Sequence, residues 1–107
     1  MLYRFKSKAS GDVVMLEHNG KRVLEILGKD PSGPGIVLPE QMPGAVKALK
    51  DAVFEEEAEF ERMRQEALAR GEDPPDPDRI TLRVRVTPFI ELLKYSMNEN
   101  TEIVWGV

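Results

Sequence analysis

Residues 43–70 read PGAVKALKDAVFEEEAEFERMRQEALAR, and this stretch decides the fold because one periodicity runs through its whole length. Its seam positions are separated by alternating steps of three and four residues, the spacing of one face of an α-helix. The seam consists of Val46, Leu49, Val53, Glu56, Phe60, Met63 and Ala67. We therefore predict a long helix over about 43–70, which Gly71 ends.

The segments that follow this helix predict a linker, a second helix and a last strand. Residues 72–78 are acidic and rich in proline, which favours an extended linker. The pattern over 88–98 predicts the second helix. Residues 101–107, TEIVWGV, predict a strand.

Residues 80–86 fit two structures. Their strict alternation and β-branched side chains favour a strand. Leu82 and Val86, however, also lie on the helical face of the residues that follow. In that case Thr81 is the N-cap of a longer helix and Pro88 lies inside it. The sequence leaves both structures open.

The N-terminal residues 2–7 alternate and predict a half-buried strand, with Tyr3 and Phe5 on one face. The C-terminal strand carries Ile103 and Trp105, so we expect the two terminal strands to pair. An isolated two-stranded ribbon is only marginally stable, so the helices are expected to cover its apolar face.

Between these elements, residues 13–16 predict a short helical segment, with Asp12 as its N-cap. Asn19-Gly20 interrupts that segment, and a helix over 23–27 then ends at Gly28.

A loop rich in proline and glycine covers residues 29–35. Residues 36–38 are a brief strand or a buried lead-in, and residues 39–42 form a turn before the long helix. The sequence thus predicts one α+β domain over 1–107, with a mostly helical body on a small sheet of the N- and C-terminal strands.

The composition excludes several classes of function. One histidine and no cysteine stand in 107 residues, so His18 has no imidazole or thiolate partner, and we predict no metal site and no cofactor. The net charge of −4 argues against nucleic acid as the main partner. Without a long apolar run or a signal peptide, we expect no membrane association and a cytoplasmic location.

The helical seam is longer than a small body can easily cover, so Val53, Phe60 and Met63 are candidate interface residues. Glu56 interrupts the seam, and it lies either at a wet edge or opposite a basic group such as Arg83 or Arg85.

Arg79, Arg83 and Arg85 form the one basic stretch. They either face the acidic helix or receive an acidic partner, so Arg83 and Arg85 are also candidate interface residues. Trp105 either anchors the end of the chain in the core or contributes to an interface.

Three stretches of this sequence resemble one known family. They are YRFKSKA at 3–9 with Asp12-Val13, the segment GI through PEQMP at 35–43, and PFIELL at 88–93 followed by Val104-Trp105-Gly106. The sequence is similar over nearly its whole length to the domain of unknown function 1840 family, whose members are small, mainly proteobacterial proteins. The resemblance implies that residues 82–97 are more helical than their own pattern indicates. The family has no assigned activity, so the resemblance gives no residue a functional role.

Two functional hypotheses follow. The first is a non-catalytic protein that works by contact with a protein partner, as a homodimer or with another chain. The second is a small-ligand binder or cofactor-free enzyme that uses Glu40, Glu91 or His18 in a cleft, because burial can separate the pKa values of carboxylates. A nucleic-acid role would rest only on the basic stretch, so we expect none.

Overall fold

The computed structural model of the chain describes residues 2–74 and 81–106, and its fold is α+β as predicted. In chain order the elements are β1 (Leu2–Ser7), β2 (Ser10–Leu16), α1 (Glu17–Ile26), β3 (Gly35–Val37), a 3-10 turn (Pro39–Gln41), α2 (Met42–Ala69), α3 (Leu82–Asn98) and β4 (Ile103–Trp105). In the described part of the chain no helix is both long enough and apolar enough to cross a bilayer.

The strands form one antiparallel sheet in the order β2-β1-β4-β3. The predicted pairing of the terminal strands is confirmed, since Lys6 lies opposite Val104 and Ser7 opposite Ile103. The sheet is wider than the sequence predicted, because β2 and β3 add a strand at each edge.

The prediction of a helical segment over 13–16 was wrong. These residues belong to β2, where Val13 lies opposite Phe5 and Met15 opposite Tyr3. Asp12 caps no helix and instead accepts a hydrogen bond from Arg4 at 3.3 Å across the two strands. The consecutive apolar residues arise because both faces of β2 carry apolar side chains, which removes the alternation typical of a half-buried strand.

Helix α1 also differs from the prediction, because it begins at Glu17 and continues through Asn19-Gly20. Gly20 is needed there for packing, not for a turn. A Cβ atom at Gly20 would lie 2.6 Å from Cγ of Tyr3, closer than side chains approach. Gly28, at φ +75°, follows the end of α1 as predicted.

The prediction for the long helix is confirmed at both ends. The 3-10 turn precedes α2, and the side chain of Gln41 accepts a hydrogen bond from the backbone N–H of Leu38 at 3.0 Å. Gly71, at φ +72°, lies just beyond the last turn of α2. Among the linker residues 72–78, those from 75 onward lie outside the described residues.

The ambiguous stretch is helical from Leu82, and Thr81 occupies the N-cap position with extended backbone. Strand pairing is therefore excluded for 82–86, because these residues form the first turns of α3. Residue 80 lies outside the described residues.

The core lies between the helices and the inner face of the sheet, and three aromatic rings meet at its centre. The rings of Phe5 and Phe89 pack edge to face with centroids 4.8 Å apart, and the Trp105 ring lies 5.8 Å from that of Phe5. Ser96 is fully buried beside them, and its hydroxyl shares a 2.7 Å hydrogen bond with that of Ser7.

Pro88 lies inside α3, where it cannot donate a backbone hydrogen bond. We expect Pro88→Ala to raise the free energy of unfolding by about 1–2 kcal/mol. The gain arises because alanine restores the backbone N–H donor of α3, and this outweighs the entropy that alanine adds to the unfolded chain. Urea denaturation measures the change. Pro39→Ala is the matched control, since proline in a first helical turn lacks only a donor that the turn leaves unused, and no gain is expected there.

Candidate functional site

The apolar seam of α2 divides into a covered half and a half that reaches the surface. Leu49 and Val53 are buried in the core. Phe60 is half-buried, and Met63 is 44% exposed. Phe60 and Met63, together with Ile26 of α1, line a groove between α1 and α2. Of the seam residues predicted as interface, Phe60 and Met63 are thus accessible and Val53 is not.

Glu56 pairs with a basic group, but the group comes from α1. Its Oε2 atom lies 3.6 Å from the Arg22 guanidinium and accepts no hydrogen bond from the described residues. Arg83 and Arg85, which the sequence offered as partners, bind elsewhere. The periodicity of α2 does not show which neighbouring helix, α1 or α3, supplies the cation beside Glu56.

Arg83 binds the acidic helix, as one of the two alternatives expected. Its Nε and a terminal nitrogen donate to the two carboxylate oxygens of Glu57 at 2.6 and 2.9 Å. The hydrogen bond lowers the pKa of Glu57 and raises that of Arg83. Both side chains are exposed, so this pair contributes little to stability.

Arg85 reaches α1, where it donates to the side-chain oxygen of Asn19, and one of its nitrogens lies 3.5 Å from Nε2 of His18. Arg79, the third residue of the basic stretch, lies outside the described residues. Arg83 and Arg85 thus lie on different faces of α3, and these two residues form no common basic surface.

The polar residues considered for catalysis are dispersed. His18 lies in α1, Glu40 in the 3-10 turn and Glu91 in α3, and each is exposed. Among residues 2–74 and 81–106, no group of three or more histidines and carboxylates is placed to hold a metal ion.

The outer sheet face is the surface that the sequence analysis missed. We define it by side chains that project away from the helices: aliphatic Leu2, Val14, Leu16, Ile36 and Val104, together with Arg4, Lys6 and Asp12. Leu2 and Leu16 lie opposite each other on β1 and β2 and are 57% and 56% exposed. A solvated face of an antiparallel sheet is ordinarily polar, so this aliphatic cluster is unusual.

A cleft opens beside β1, at the end of the sheet where β1 and β4 separate. Pairing of these strands is limited to Lys6 and Ser7, and the loop of residues 31–34 faces the earlier residues of β1. We call this the Trp105 cleft, of about 440 Å³; its lining includes Leu2, Arg4, Lys6, Pro31, Pro34 and Trp105.

Trp105 is the floor of this cleft and also part of the core, with 1% of its surface exposed. This burial agrees with one of the two alternatives expected for Trp105, that it anchors the end of the chain in the core. Its indole Nε1 is buried and has no hydrogen-bond partner in the described structure. A buried donor left in this state costs about 1–3 kcal/mol, and such groups are rare in folded proteins.

The loop that forms one wall of the cleft is held in place by polar contacts. The Tyr3 hydroxyl donates to the carbonyl oxygen of Pro31 at 2.5 Å. Asp30 accepts hydrogen bonds from the backbone N–H and the hydroxyl of Ser32 at 2.8 and 2.6 Å, which lowers the pKa of Asp30. The predicted loop is therefore ordered by its own side chains.

Part of the signal for the outer sheet face was interpreted correctly, because the alternation of residues 2–7 predicts a strand. Residues 13–16 were wrongly predicted as a helical segment, so the second strand of this face was missed. Leu2, Arg4 and Lys6 alternate with the buried side of β1, and Val14 and Leu16 alternate with Met15 on β2. The cleft left no comparable signal, because residues 31–34 and Trp105 are distant in the sequence and meet only through β3 and β4.

Comparison with known proteins gives one match. The family model described as Domain of unknown function (DUF1840) matches residues 1–105. No curated protein and no solved structure matches the chain. The model covers all the elements described above, from β1 to β4. The resemblance stated from three short stretches is thus confirmed, and the chain belongs to the DUF1840 family, a domain of unknown function.

Proposed function

We propose that this protein acts by protein–protein contact, and that its outer sheet face binds the same face of a second copy. The observation that carries the proposal is the aliphatic cluster on this face, whose members Leu2, Val14, Leu16 and Ile36 are exposed. Contiguous exposed apolar surface, rimmed by polar groups, marks interaction sites in soluble proteins.

A second copy is the occupant that the charges of this face favour. A two-fold interface uses one patch twice, so the patch must complement itself. Arg4 and Asp12 place opposite charges side by side on the face, 3.3 Å apart. When two such faces stack about 10 Å apart, as sheets in sandwiches do, the Arg4 of each copy can meet the partner's Asp12.

The size of the face predicts a reversible dimer. Four strands spaced about 4.8 Å apart make a face roughly 20 Å wide. A contact of this size lies at the small end of specific interfaces, where association is weak or transient. Cytoplasmic location is part of the same proposal, and the cysteine-free sequence supports it by its fit to a reducing compartment.

We expect Leu16→Glu to weaken self-association at least about tenfold, because it places an unpaired charge within an apolar contact. Sedimentation velocity over a range of protein concentrations measures the monomer–dimer equilibrium. Leu16→Thr, which places a β-branched residue in the strand, repeats the test with less risk to folding, and circular dichroism checks both variants.

Met63→Glu is the matched control, since it adds the same charge to the groove between α1 and α2. It is expected to leave the dimer unchanged. A dimer lost in Met63→Glu but kept in Leu16→Glu would move the contact to the groove that the sequence analysis favoured. A wild-type chain that stays monomeric at all concentrations would refute the proposal.

A further inference from the structure

The Trp105 cleft is a preformed cavity, because close contacts fix its walls. The Tyr3 hydroxyl holds Pro31 against β1. At the other end of the loop, Gly106 approaches Pro34 so closely that a Cβ on Gly106 would lie 2.7 Å from Cα of Pro34. Gly106 has a φ of +74°, which favours glycine.

The floor of the cleft is fixed in the same way. A Cβ atom on Gly35 would lie 2.2 Å from Cζ2 of Trp105, so the absence of a side chain at Gly35 allows the indole ring to lie flat on β3. A cavity whose walls are set before binding saves a ligand the cost of ordering them.

The charges at the cleft are of one sign. Among the described residues that line it, Arg4 and Lys6 carry charge, and both are cations, although the whole chain has a net charge of −4. Arg4 donates one hydrogen bond to Asp12 over 3.3 Å, while a guanidinium has five N–H donors. The cleft thus favours an anion, and an arginine fork matches a carboxylate best.

The remainder of the lining is apolar. Leu2, Pro31 and Pro34 offer carbon surface beside the cations. The volume of about 440 Å³ lies within the range of small-molecule sites. A ligand that fits both features has a carboxylate at one end and a short hydrocarbon portion at the other.

From these observations we propose that the Trp105 cleft binds a small organic carboxylate, whose carboxylate accepts hydrogen bonds from Arg4 while its hydrocarbon portion lies against Pro31 and Pro34. Leu2, Arg4 and Lys6 belong both to the outer sheet face and to the lining of the cleft, so the dimer contact and the ligand share these residues. Leu16 does not line the cleft, so a Leu16→Glu variant allows ligand binding to be measured apart from the dimer.

The chain contains one tryptophan, so an ¹⁵N-labelled sample gives one indole N–H resonance, which reports on this cleft alone. We expect titration with sodium hexanoate at constant ionic strength to shift this resonance in a saturable way, because Trp105 is part of the cleft lining and a bound ligand changes the surroundings of its ring. The dissociation constant for a probe of this size is expected on the order of 1 mM. Hexanol, with the same chain length and no charge, is expected to bind at least about tenfold more weakly.

Arg4→Gln is expected to weaken hexanoate binding about tenfold, because it removes a charge-assisted hydrogen bond. Arg22→Gln, which removes a cation from α1, is the matched control and should bind as wild type. Both substitutions are also measured in the Leu16→Glu background, which should bind hexanoate at least as tightly as wild type because the dimer contact shares Arg4 with the cleft.

Three results would overturn the proposal. They are an indole resonance that does not move with hexanoate, an equal response to hexanol, and an Arg4→Gln variant that binds hexanoate as tightly as wild type. A non-saturating drift shared by both Arg4→Gln and Arg22→Gln would show a general solvent effect and would refute a site at the cleft.

Discussion

Phe5→Ala is expected to lower the free energy of unfolding by about 3–5 kcal/mol, the largest effect that any single change described here should produce. The Phe5 ring is fully buried and lies between those of Phe89 and Trp105, at centroid distances of 4.8 and 5.8 Å. Truncation removes the burial energy of the ring and leaves a cavity that the two other rings fill only in part. Urea denaturation measures the loss.

Phe54→Ala is the matched control, because it makes the same chemical change where the ring is 72% exposed. Its effect is expected to stay within about 0.5 kcal/mol, as for most surface substitutions. Equal losses in the two variants would contradict the position of Phe5 at the centre of the core. The free energy of unfolding of a domain of this size is about 5–15 kcal/mol in total, and Phe5→Ala removes a large part of it. The variant is therefore best measured at low temperature, where the folded state is most stable.

Gly35→Ala is expected to destabilise the protein by about 2–3 kcal/mol, although it adds only one methyl group. The added Cβ would lie 2.2 Å from Cζ2 and 2.6 Å from Cε2 of Trp105, so the indole ring must leave its position or β3 must separate from β4. Overpacking of a fixed core costs about 1–3 kcal/mol, and the rigid indole gives little room for relaxation. The single tryptophan also reports the shift through its fluorescence.

Gly33→Ala, two residues earlier in the same chain segment, is the control. No atom lies within 4 Å of a Cβ built on Gly33, and alanine restricts the unfolded chain more than glycine does. We expect no loss at Gly33, and a small gain in stability is the favoured direction. A comparable loss at both glycines would point to the loop itself and not to contact with Trp105.

The parts of the fold that the sequence predicted are those where one periodicity had no competitor. The seam of α2 recurs over the whole helix, and its ends carry Pro39 and Gly71, whose backbone preferences fit a first turn and a helix end. The pairing of the terminal strands followed because each carries large apolar residues on one face and would be unstable alone.

The errors, and the choice that the sequence left open at residues 82–86, arose where tertiary contacts decide between local patterns. Asn19-Gly20 is typical of a turn, but the Tyr3 ring occupies the space where a side chain at Gly20 would lie, and the helix continues. Residues 82–86 alternate like a strand, but Leu82 and Val86 face the core as successive turns of α3. In both places the neighbour that settles the structure is distant in the sequence.

The candidate sites were harder to predict than the fold. The accessible part of the seam, Phe60 and Met63, was identified from spacing alone. The outer sheet face required β2 to be recognised as a strand, and the Trp105 cleft required the separation of β1 from β4, which depends on the path of the loop at residues 31–34.

The strand order also bears on how this domain is made in the cell. The two central strands, β1 and β4, are the first and the last of the described elements, and β3 pairs only with β4. During synthesis on the ribosome, the hairpin of β1 and β2 can form early, while β3 waits without a neighbour until residues 103–105 emerge. The sheet therefore closes only after translation of the domain is complete, and until then the β4 side of β1 and the apolar face of α3 are open to chaperones.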